Sequence, residues 1–169
     1  MYDAWQNFFA MLGESAATLI GLLFVVVSLT SGRPESASVP GRRLFSSPTV
    51  FHLVTVLVNS ALALAPGDAE FFRRVLMTGW AGVGLGYAGA LTLRLGRSAN
   101  RTHWTDFWYY GVVPTLAYIV LVVAYAAAWS GARHAGFFVA LGLLALLAVA
   151  IRNAWDLVTW LAPRRETGS

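Results

Sequence analysis

Five apolar blocks, each close to the length needed to cross a bilayer, dominate the sequence. A bilayer core about 30 Å thick needs roughly 20 mostly apolar residues per helix, because lipid offers the backbone no hydrogen-bond partners. The predicted spans are residues 5–29, 48–65, 75–95, 108–129 and 135–151, the last with an interfacial extension to 161. These blocks predict an all-α fold, a polytopic transmembrane helical bundle of about five spans in a single transmembrane domain over residues 1–169.

Composition and turn residues agree with this division. Hydrophobic residues make up 57% of the chain and charged residues 12%, which is too apolar for an ordinary soluble fold of this length. Pro34 follows the first block, Pro48 stands at a favoured first helical position of the second span, and Pro66 follows that span. Because Asp3 precedes the first block and no positive charge does, we expect this block to remain as a span rather than be cleaved as a signal.

The basic residues indicate the orientation of the chain. All twelve are arginines, and they fall between the apolar blocks, as the positive-inside rule requires. One predicted face holds nine of them: Arg33, Arg42, Arg43, Arg94, Arg97, Arg101, Arg152, Arg164 and Arg165. The other face holds three: Arg73, Arg74 and Arg133. This asymmetry predicts an N-terminus outside and a cytoplasmic C-terminus in a multi-pass protein of a bacterial inner membrane, with no nucleic-acid partner.

Several kinds of catalytic and cofactor site are missing from the sequence. Without cysteine there is no disulfide, thiolate nucleophile or cysteine-based metal site, and no Gly-x-Ser-x-Gly motif indicates a serine hydrolase. His52, His103 and His134 offer no obvious facing pair of ligands for a haem. We therefore expect no metal, no other cofactor and no enzyme activity.

Glu14 is the most informative ionisable residue, because a charge inside a span costs several kcal/mol unless it is paired or hydrated. At about 1.5 Å per residue, Glu14 lies about 13 Å past Trp5, and Asn59 lies about 16 Å past Pro48 on the next, antiparallel helix. Both residues therefore fall near the bilayer midplane. The shared depth predicts an interhelical hydrogen bond between Asn59 and Glu14.

Polar residues form one line on each of the first two spans, and together they are the predicted intramembrane polar site. The Glu14 stripe consists of Glu14, Thr18, Gly21, Val25 and Ser28, and the His52 stripe consists of His52, Thr55 and Asn59. Steps of three and four keep each stripe on one side of its helix. Such stripes hold membrane helices together, line a path for protons or ions, or carry catalysis. We favour the first use, because small and hydroxyl residues commonly form tight helix interfaces in membranes.

Small residues recur every four positions in two of the spans. They are Gly13, Ala17 and Gly21 in the first span and Gly82, Gly86 and Ala90 in the third. This spacing predicts faces that allow close helix packing. The spacing leaves open whether these faces join helices of one subunit or of two.

Charged residues mark the predicted cytoplasmic boundary. The spacing of four between Arg152 and Asp156 permits an ion pair on the extension of the fifth span. That extension is predicted to lie in the interface, and the sharper alternative is a docking surface around Thr159 for a cytoplasmic partner. Arg94, Arg97 and Arg101 are candidate contacts for lipid phosphate headgroups, although general attraction of the loop to anionic lipid is the simpler interpretation.

The first span also carries a family resemblance. Its run from Ala16 to Val25, ending at Ser28 and preceded by Trp5 and Phe8, resembles the opening span of small multi-spanning bacterial inner-membrane proteins. Some members of that group are labelled as modulators of a membrane-anchored protease. The resemblance implies a helical membrane protein and assigns no functional residue.

The leading hypothesis for function is a non-enzymatic membrane bundle that acts by association. Its expected partners are the lipid bilayer and either copies of itself or a larger membrane complex of which it is a subunit or modulator. The first alternative is a small oligomeric ion channel or proton-coupled carrier that uses Glu14, His52 and Asn59. The second is a lipid-headgroup enzyme near Arg94, Arg97, Arg101 and His103.

Overall fold

A computed structural model describes residues 5–30, 41–66, 70–97 and 104–161 of the chain. These residues form five long helices, which confirms the all-α class. The helices are α1 (Gln6–Thr30), α2 (Gly41–Leu64), α3 (Glu70–Arg97), α4 (Trp104–Trp129) and α5 (Ala135–Leu161). Arg33, Arg101, His103, Arg164 and Arg165, which entered the predictions of orientation and headgroup contact, lie outside the described residues.

Three helices are long and apolar enough to cross a membrane, namely Gln6–Leu29, Trp104–Trp129 and Ala135–Thr159. The apolar part of α2, Pro48–Leu64, is shorter. α3 contains Gly79, Gly82, Gly84, Gly86 and Gly89, and glycine adds little to mean hydropathy. The described fold therefore supports a helical membrane protein with at least three segments of spanning length.

The start of α2 differs from the prediction. The helix begins at Gly41, and Pro48 lies inside it rather than at its first position. The expectation that Pro48 opens the helix is wrong because helix formation extends beyond the apolar block into the preceding polar residues. In a helix that continues into a membrane, neighbouring groups can compensate for the missing proline N–H.

α4 opens with an unusual turn. A single α-helical turn, Trp104–Asp106, is followed by the π-helix Phe107–Val112 and then by the α-helix Val113–Trp129. The Val113 N–H donates to the carbonyl of Trp108, five residues earlier. In this register the next donor would be residue 114, which would reach Tyr109, but Pro114 has no N–H.

α5 supplies the missing donor. Asn153 Nδ2 donates to the Tyr109 carbonyl at 3.2 Å, and the Tyr110 hydroxyl donates to the Asn153 carbonyl at 3.4 Å. Asn153 is fully buried. The π-helix is therefore stabilised by a side chain of another helix, which satisfies a carbonyl that the local sequence leaves without its helical partner.

All five helices contribute buried residues to one apolar core. α2 and α5 contact each other and both contact α1, while α3 packs against α4 and, less extensively, against α2. Large side chains that are completely buried in this core include Phe9, Leu12, Leu53, Leu121 and Leu143. Phe71 contacts Trp129 and Gly96 contacts Phe107, so α3 and α4 run in opposite directions. α4 and α5 also run in opposite directions, because Asn153 meets Tyr109.

Contacts at the helix ends define two ends of the bundle. One end of the bundle, called the arginine-rich end, holds Arg94, Arg97 and Arg152. There the C-terminal ends of α3 and α5 contact the N-terminal end of α4. At the opposite end, the Phe71 ring packs on Trp129 and the Trp5 ring packs on Phe137. α1 therefore begins at one end of the bundle, and α5 finishes at the other.

Candidate functional site

The His52 stripe lies inside the bundle, where His52, Thr55 and Asn59 have no exposed surface. The Tyr118 hydroxyl, on α4, lies 3.1 Å from His52 Nδ1 and 3.0 Å from Thr55 Oγ1. Trp80 Nε1, on α3, donates to Thr55 Oγ1 at 3.1 Å. One hydroxyl of α2 thus connects three helices through hydrogen bonds.

The hydrogen bonds of this cluster have a direction. Thr55 Oγ1 also donates to the Phe51 carbonyl at 2.9 Å, so its only hydrogen is used there. Thr55 must then accept from both Trp80 and Tyr118, and the Tyr118 oxygen must accept from His52 Nδ1–H. Only this assignment satisfies all four contacts at once. His52 therefore carries a hydrogen on Nδ1, and its buried Nε2 has no hydrogen-bond partner among the described residues. A second hydrogen, on Nε2, would bury a charged N–H group without an acceptor, which favours the neutral ring.

Gly84 on α3 makes room for the Tyr118 ring. A Cβ atom at residue 84 would lie 2.1 Å from Tyr118 Cε1, a distance that no side chain can adopt without moving the ring. Gly84 is itself buried. The absence of a side chain at this position is what lets Tyr118 reach the hydroxyl of Thr55 and the ring of His52.

Asn59 is held by a second tyrosine of α4. The Tyr125 hydroxyl donates to Asn59 Oδ1 at 2.7 Å, and Asn59 Nδ2 donates to the Thr55 carbonyl at 2.8 Å. Tyr118 and Tyr125 are seven residues apart and lie on the same face of α4. Both tyrosine hydroxyls therefore bind side chains of the His52 stripe.

The Glu14 stripe lies on the outer surface of α1 instead. Glu14, Thr18, Gly21, Val25 and Ser28 are all exposed, whereas the opposite side of α1 buries Leu12, Ala16 and Leu23. The predicted hydrogen bond between Glu14 and Asn59 is wrong. The helix rise predicts that the two residues lie at the same depth, but it does not predict the rotation of α1 about its own axis. In the structure that rotation directs Glu14 away from α2.

α1 is the span that the rest of the chain covers least. Only 17% of its most apolar segment is buried, compared with 44% for α4 and 56% for α5. Thr18 Oγ1 donates to the Glu14 carbonyl at 2.8 Å, so this hydroxyl is satisfied within its own helix. The Glu14 carboxyl has no hydrogen bond or ion pair with any residue that the structure describes.

The predicted small-residue faces divide in the same way. Gly13 faces α2, where an added Cβ would lie 3.2 Å from Ser60 Cβ, so it serves packing within the chain. Gly21, Gly82 and Gly86 have no atom within 4 Å of an added Cβ. The face of α3 that carries Gly82, Gly86 and Ala90 is exposed, and it does not pack against another of the described helices.

The arginine-rich end contains the predicted ion pair and an open pocket. Arg152 Nη1 lies 2.7 Å from Asp156 Oδ2, and the Arg152 guanidinium stacks on the Tyr109 ring, 3.9 Å from its centre. Thr159 bonds to carbonyls of its own helix. A cavity of about 370 Å³ opens beside this contact and is lined by Trp104, Thr105, Trp108, Tyr109 and Val113. Arg94 and Arg97 are exposed on the neighbouring end of α3.

Four residues of these sites were missed in the sequence. Tyr118 and Tyr125 left a usable signal, because two mid-span tyrosines on one helix face both need a hydrogen-bond partner. Trp80 lies away from the ends of its span, where a tryptophan would reach the membrane surface, and its hydrogen bond to Thr55 accounts for this position. Asn153 gave no signal, since its role depends on the π-helical register of a different helix.

No group of three or more histidine and acidic side chains within the described ranges is placed to hold a metal ion. No protein-family model, curated protein or solved structure matches the chain. The resemblance of the first span to small bacterial multi-spanning proteins therefore stays a prediction.

Proposed function

We propose that this chain is a five-span protein of the bacterial inner membrane that acts by association, with copies of itself first and with a larger membrane complex second. Its N-terminus would lie outside and its C-terminus in the cytoplasm. The helix directions place five arginines at one end of the bundle and three at the other: Arg42, Arg43, Arg94, Arg97 and Arg152 against Arg73, Arg74 and Arg133. This excess of positive charge supports the proposed orientation.

The observation that carries the proposal is the position of Glu14. It lies well inside the first span, on the helix that the chain covers least, and it faces outward. An ionisable residue directed at lipid costs several kcal/mol, and intramembrane acids almost always face a protein interior or a hydrated cavity. A protein surface packed against this face would supply the hydrogen-bond partner that Glu14 lacks among the described residues.

The neighbours of Glu14 suit such an interface. Ala17, Thr18, Gly21 and Ser28 are small and exposed on the outer side of α1. Small residues let two helix backbones approach closely, which strengthens dispersion contacts and interhelical hydrogen bonds in the absence of a hydrophobic driving force. We infer that the Glu14 stripe is the centre of a helix–helix contact between subunits.

Cysteine cross-linking tests the proposal directly, because the natural chain has no cysteine. Ala17→Cys and Gly21→Cys variants, oxidised in native membranes, should give a disulfide-linked dimer. Val123→Cys is the matched control, since Val123 is 61% exposed on a different span. Equal cross-linking at Val123, or no cross-linking at either α1 position, would contradict self-association through this face.

A path for protons or ions is the second candidate. The observation in its favour is that the buried atoms His52 Nε2 and Ser60 Oγ have no hydrogen-bond partner among the described residues, as a transient water site would require. Glu14 would belong to such a path only at a subunit interface. Proteoliposomes carrying a pH-sensitive dye test it: a proton flux lost in His52→Leu would support the path, and no flux in the natural protein would contradict it.

A further inference from the structure

The cavity beside the π-helix is a second feature that packing alone leaves unexplained. We propose that this cavity, which we call the aromatic pocket, binds an anionic phospholipid, with the glycerol region between Trp104 and Trp108 and the phosphate toward Arg94 and Arg97. This inference is independent of association through α1.

The position of the pocket fits the headgroup region. It lies at the first turns of α4, where that helix reaches the arginine-rich end. Trp104 is 71% exposed, and Trp108 and Tyr109 are each exposed by more than a third. Tryptophan and tyrosine favour this level of a membrane, because an apolar ring and a polar edge can both be satisfied there.

The walls of the pocket are held in place from within the bundle. The Trp104 and Trp108 rings meet edge to face, with centroids 5.6 Å apart. The Tyr109 ring is held by the Arg152 guanidinium, and its backbone carbonyl by Asn153. The π-helix thus presents Trp108 and Tyr109, and the turn before it presents Trp104, around one opening of about 370 Å³.

The positive charge near the pocket favours an anionic lipid. Gly96 packs on Phe107, with an added Cβ 3.5 Å from that ring, so the last turn of α3 lies beside the start of α4. Arg94 and Arg97 are on this turn, and neither forms an ion pair with a described residue. Arg152 is paired with Asp156. Three arginines therefore stand against Asp106 and Asp156, which leaves an excess of positive charge.

A phospholipid explains both features of the site better than a free anion does. Inorganic phosphate would use the arginines but would leave the aromatic walls unoccupied. A zwitterionic lipid would place a second cation among arginines. Arginines at the cytoplasmic ends of membrane helices attract anionic lipid headgroups, and Arg94 and Arg97 lie on the helix next to the aromatic lining rather than in it. We therefore assign the pocket to phosphatidylglycerol or a lipid of the same charge.

Native mass spectrometry of the full-length protein can test this assignment. The protein, purified in detergent, would be titrated with phosphatidylglycerol, with phosphatidylcholine and with soluble glycerol phosphate. We expect one phosphatidylglycerol molecule to be retained in preference to the other two ligands. Trp104→Ala should weaken its retention on the order of tenfold. The double variant Arg94→Gln/Arg97→Gln should weaken it about thirtyfold, since each basic residue near a membrane surface contributes about 1 kcal/mol.

Two matched controls separate the pocket from general attraction to lipid. Trp155→Ala removes an aromatic side chain that is 68% exposed and does not line the pocket. Arg133→Gln removes a charge at the other end of the bundle. Both should retain phosphatidylglycerol as the natural protein does. Equal retention of phosphatidylcholine, equal retention of glycerol phosphate, or equal losses in the control variants would each overturn the assignment.

Discussion

Gly84 lies against the ring of Tyr118 so closely that a methyl group at residue 84 would sit 2.1 Å from Tyr118 Cε1. This contact joins α3 to α4 at the point where Tyr118 meets His52 and Thr55. The stability of the polar cluster therefore depends on a glycine that carries no polar group.

Gly84→Ala should destabilise the protein by about 1–3 kcal/mol, because overpacking forces the tyrosine off its position. The hydrogen bonds from Tyr118 to Thr55 and from His52 to Tyr118 would be strained or lost with it. Gly82→Ala and Gly86→Ala are matched controls on the same helix, since nothing lies within 4 Å of an added Cβ at either residue. Unfolding in mixed micelles measures the difference, and an equal effect of all three substitutions would contradict the packing argument.

Asn59 and Tyr125 should be energetically coupled, whereas Asn59 and Glu14 should not. Interhelical hydrogen bonds in membranes contribute about 0.6 kcal/mol on average and at most about 1.7 kcal/mol by double-mutant cycles. We expect a coupling in that range for Asn59→Ala with Tyr125→Phe, because their side chains meet at 2.7 Å. A cycle with Glu14→Ala should give a coupling near zero. A reversal of the two results would restore the contact between Asn59 and Glu14.

Glu14 and Asn59 show which part of the structure follows from the sequence and which part does not. Span length and apolar periodicity identify the helices, because lipid forces each crossing segment to satisfy its own backbone. The depth of Glu14 and Asn59 follows from helix rise alone. Their contact also needs the rotation of each helix, which depends on packing partners elsewhere, here Leu12, Ala16 and Leu23 on the buried side of α1. The sequence of a single helix therefore does not predict its rotation, because that rotation depends on residues of other helices.

His52 should be a neutral histidine protonated at Nδ1. The reason is that Thr55 uses its hydrogen for the Phe51 carbonyl, so the Tyr118 hydroxyl donates to Thr55 and accepts from His52. Nitrogen-15 NMR of labelled protein distinguishes the two nitrogens and their protonation. Tyr118→Phe removes the acceptor and should shift the population toward the other tautomer. A histidine protonated at Nε2 in the natural protein would contradict this order of donors.

Asn153 should contribute more to stability when residue 114 is proline than when it is alanine. In the natural chain Asn153→Ala leaves the Tyr109 carbonyl without its donor, and an unsatisfied buried group costs about 1–3 kcal/mol. Pro114→Ala restores a backbone N–H that can reach this carbonyl, so Asn153→Ala should cost less in that background. Thermal unfolding of the two single variants and the double variant measures the difference. Equal costs in both backgrounds would show that Asn153 stabilises α5 for another reason.

Glu14 should control the strength of self-association. Two copies of α1 packed in parallel bring identical residues to the same depth, where the two Glu14 side chains can form an interhelical hydrogen bond. Glutamine can donate and accept such a bond, and leucine can do neither. Glu14→Gln should therefore dimerise nearly as tightly as the natural protein, whereas Glu14→Leu should weaken dimerisation on the order of tenfold, given about 1–2 kcal/mol for an interhelical hydrogen bond.

Single-molecule photobleaching in large liposomes, over a range of protein-to-lipid ratios, gives the dimer fraction for each variant. Phe24→Leu is the control, because Phe24 is 74% exposed on α1 and does not belong to the Glu14 stripe. If Glu14→Leu associated as tightly as Glu14→Gln, the carboxyl would have no part in the interface. The outward direction of Glu14 makes this the decisive comparison, since among the described residues the carboxyl has no partner whose loss could produce the same difference.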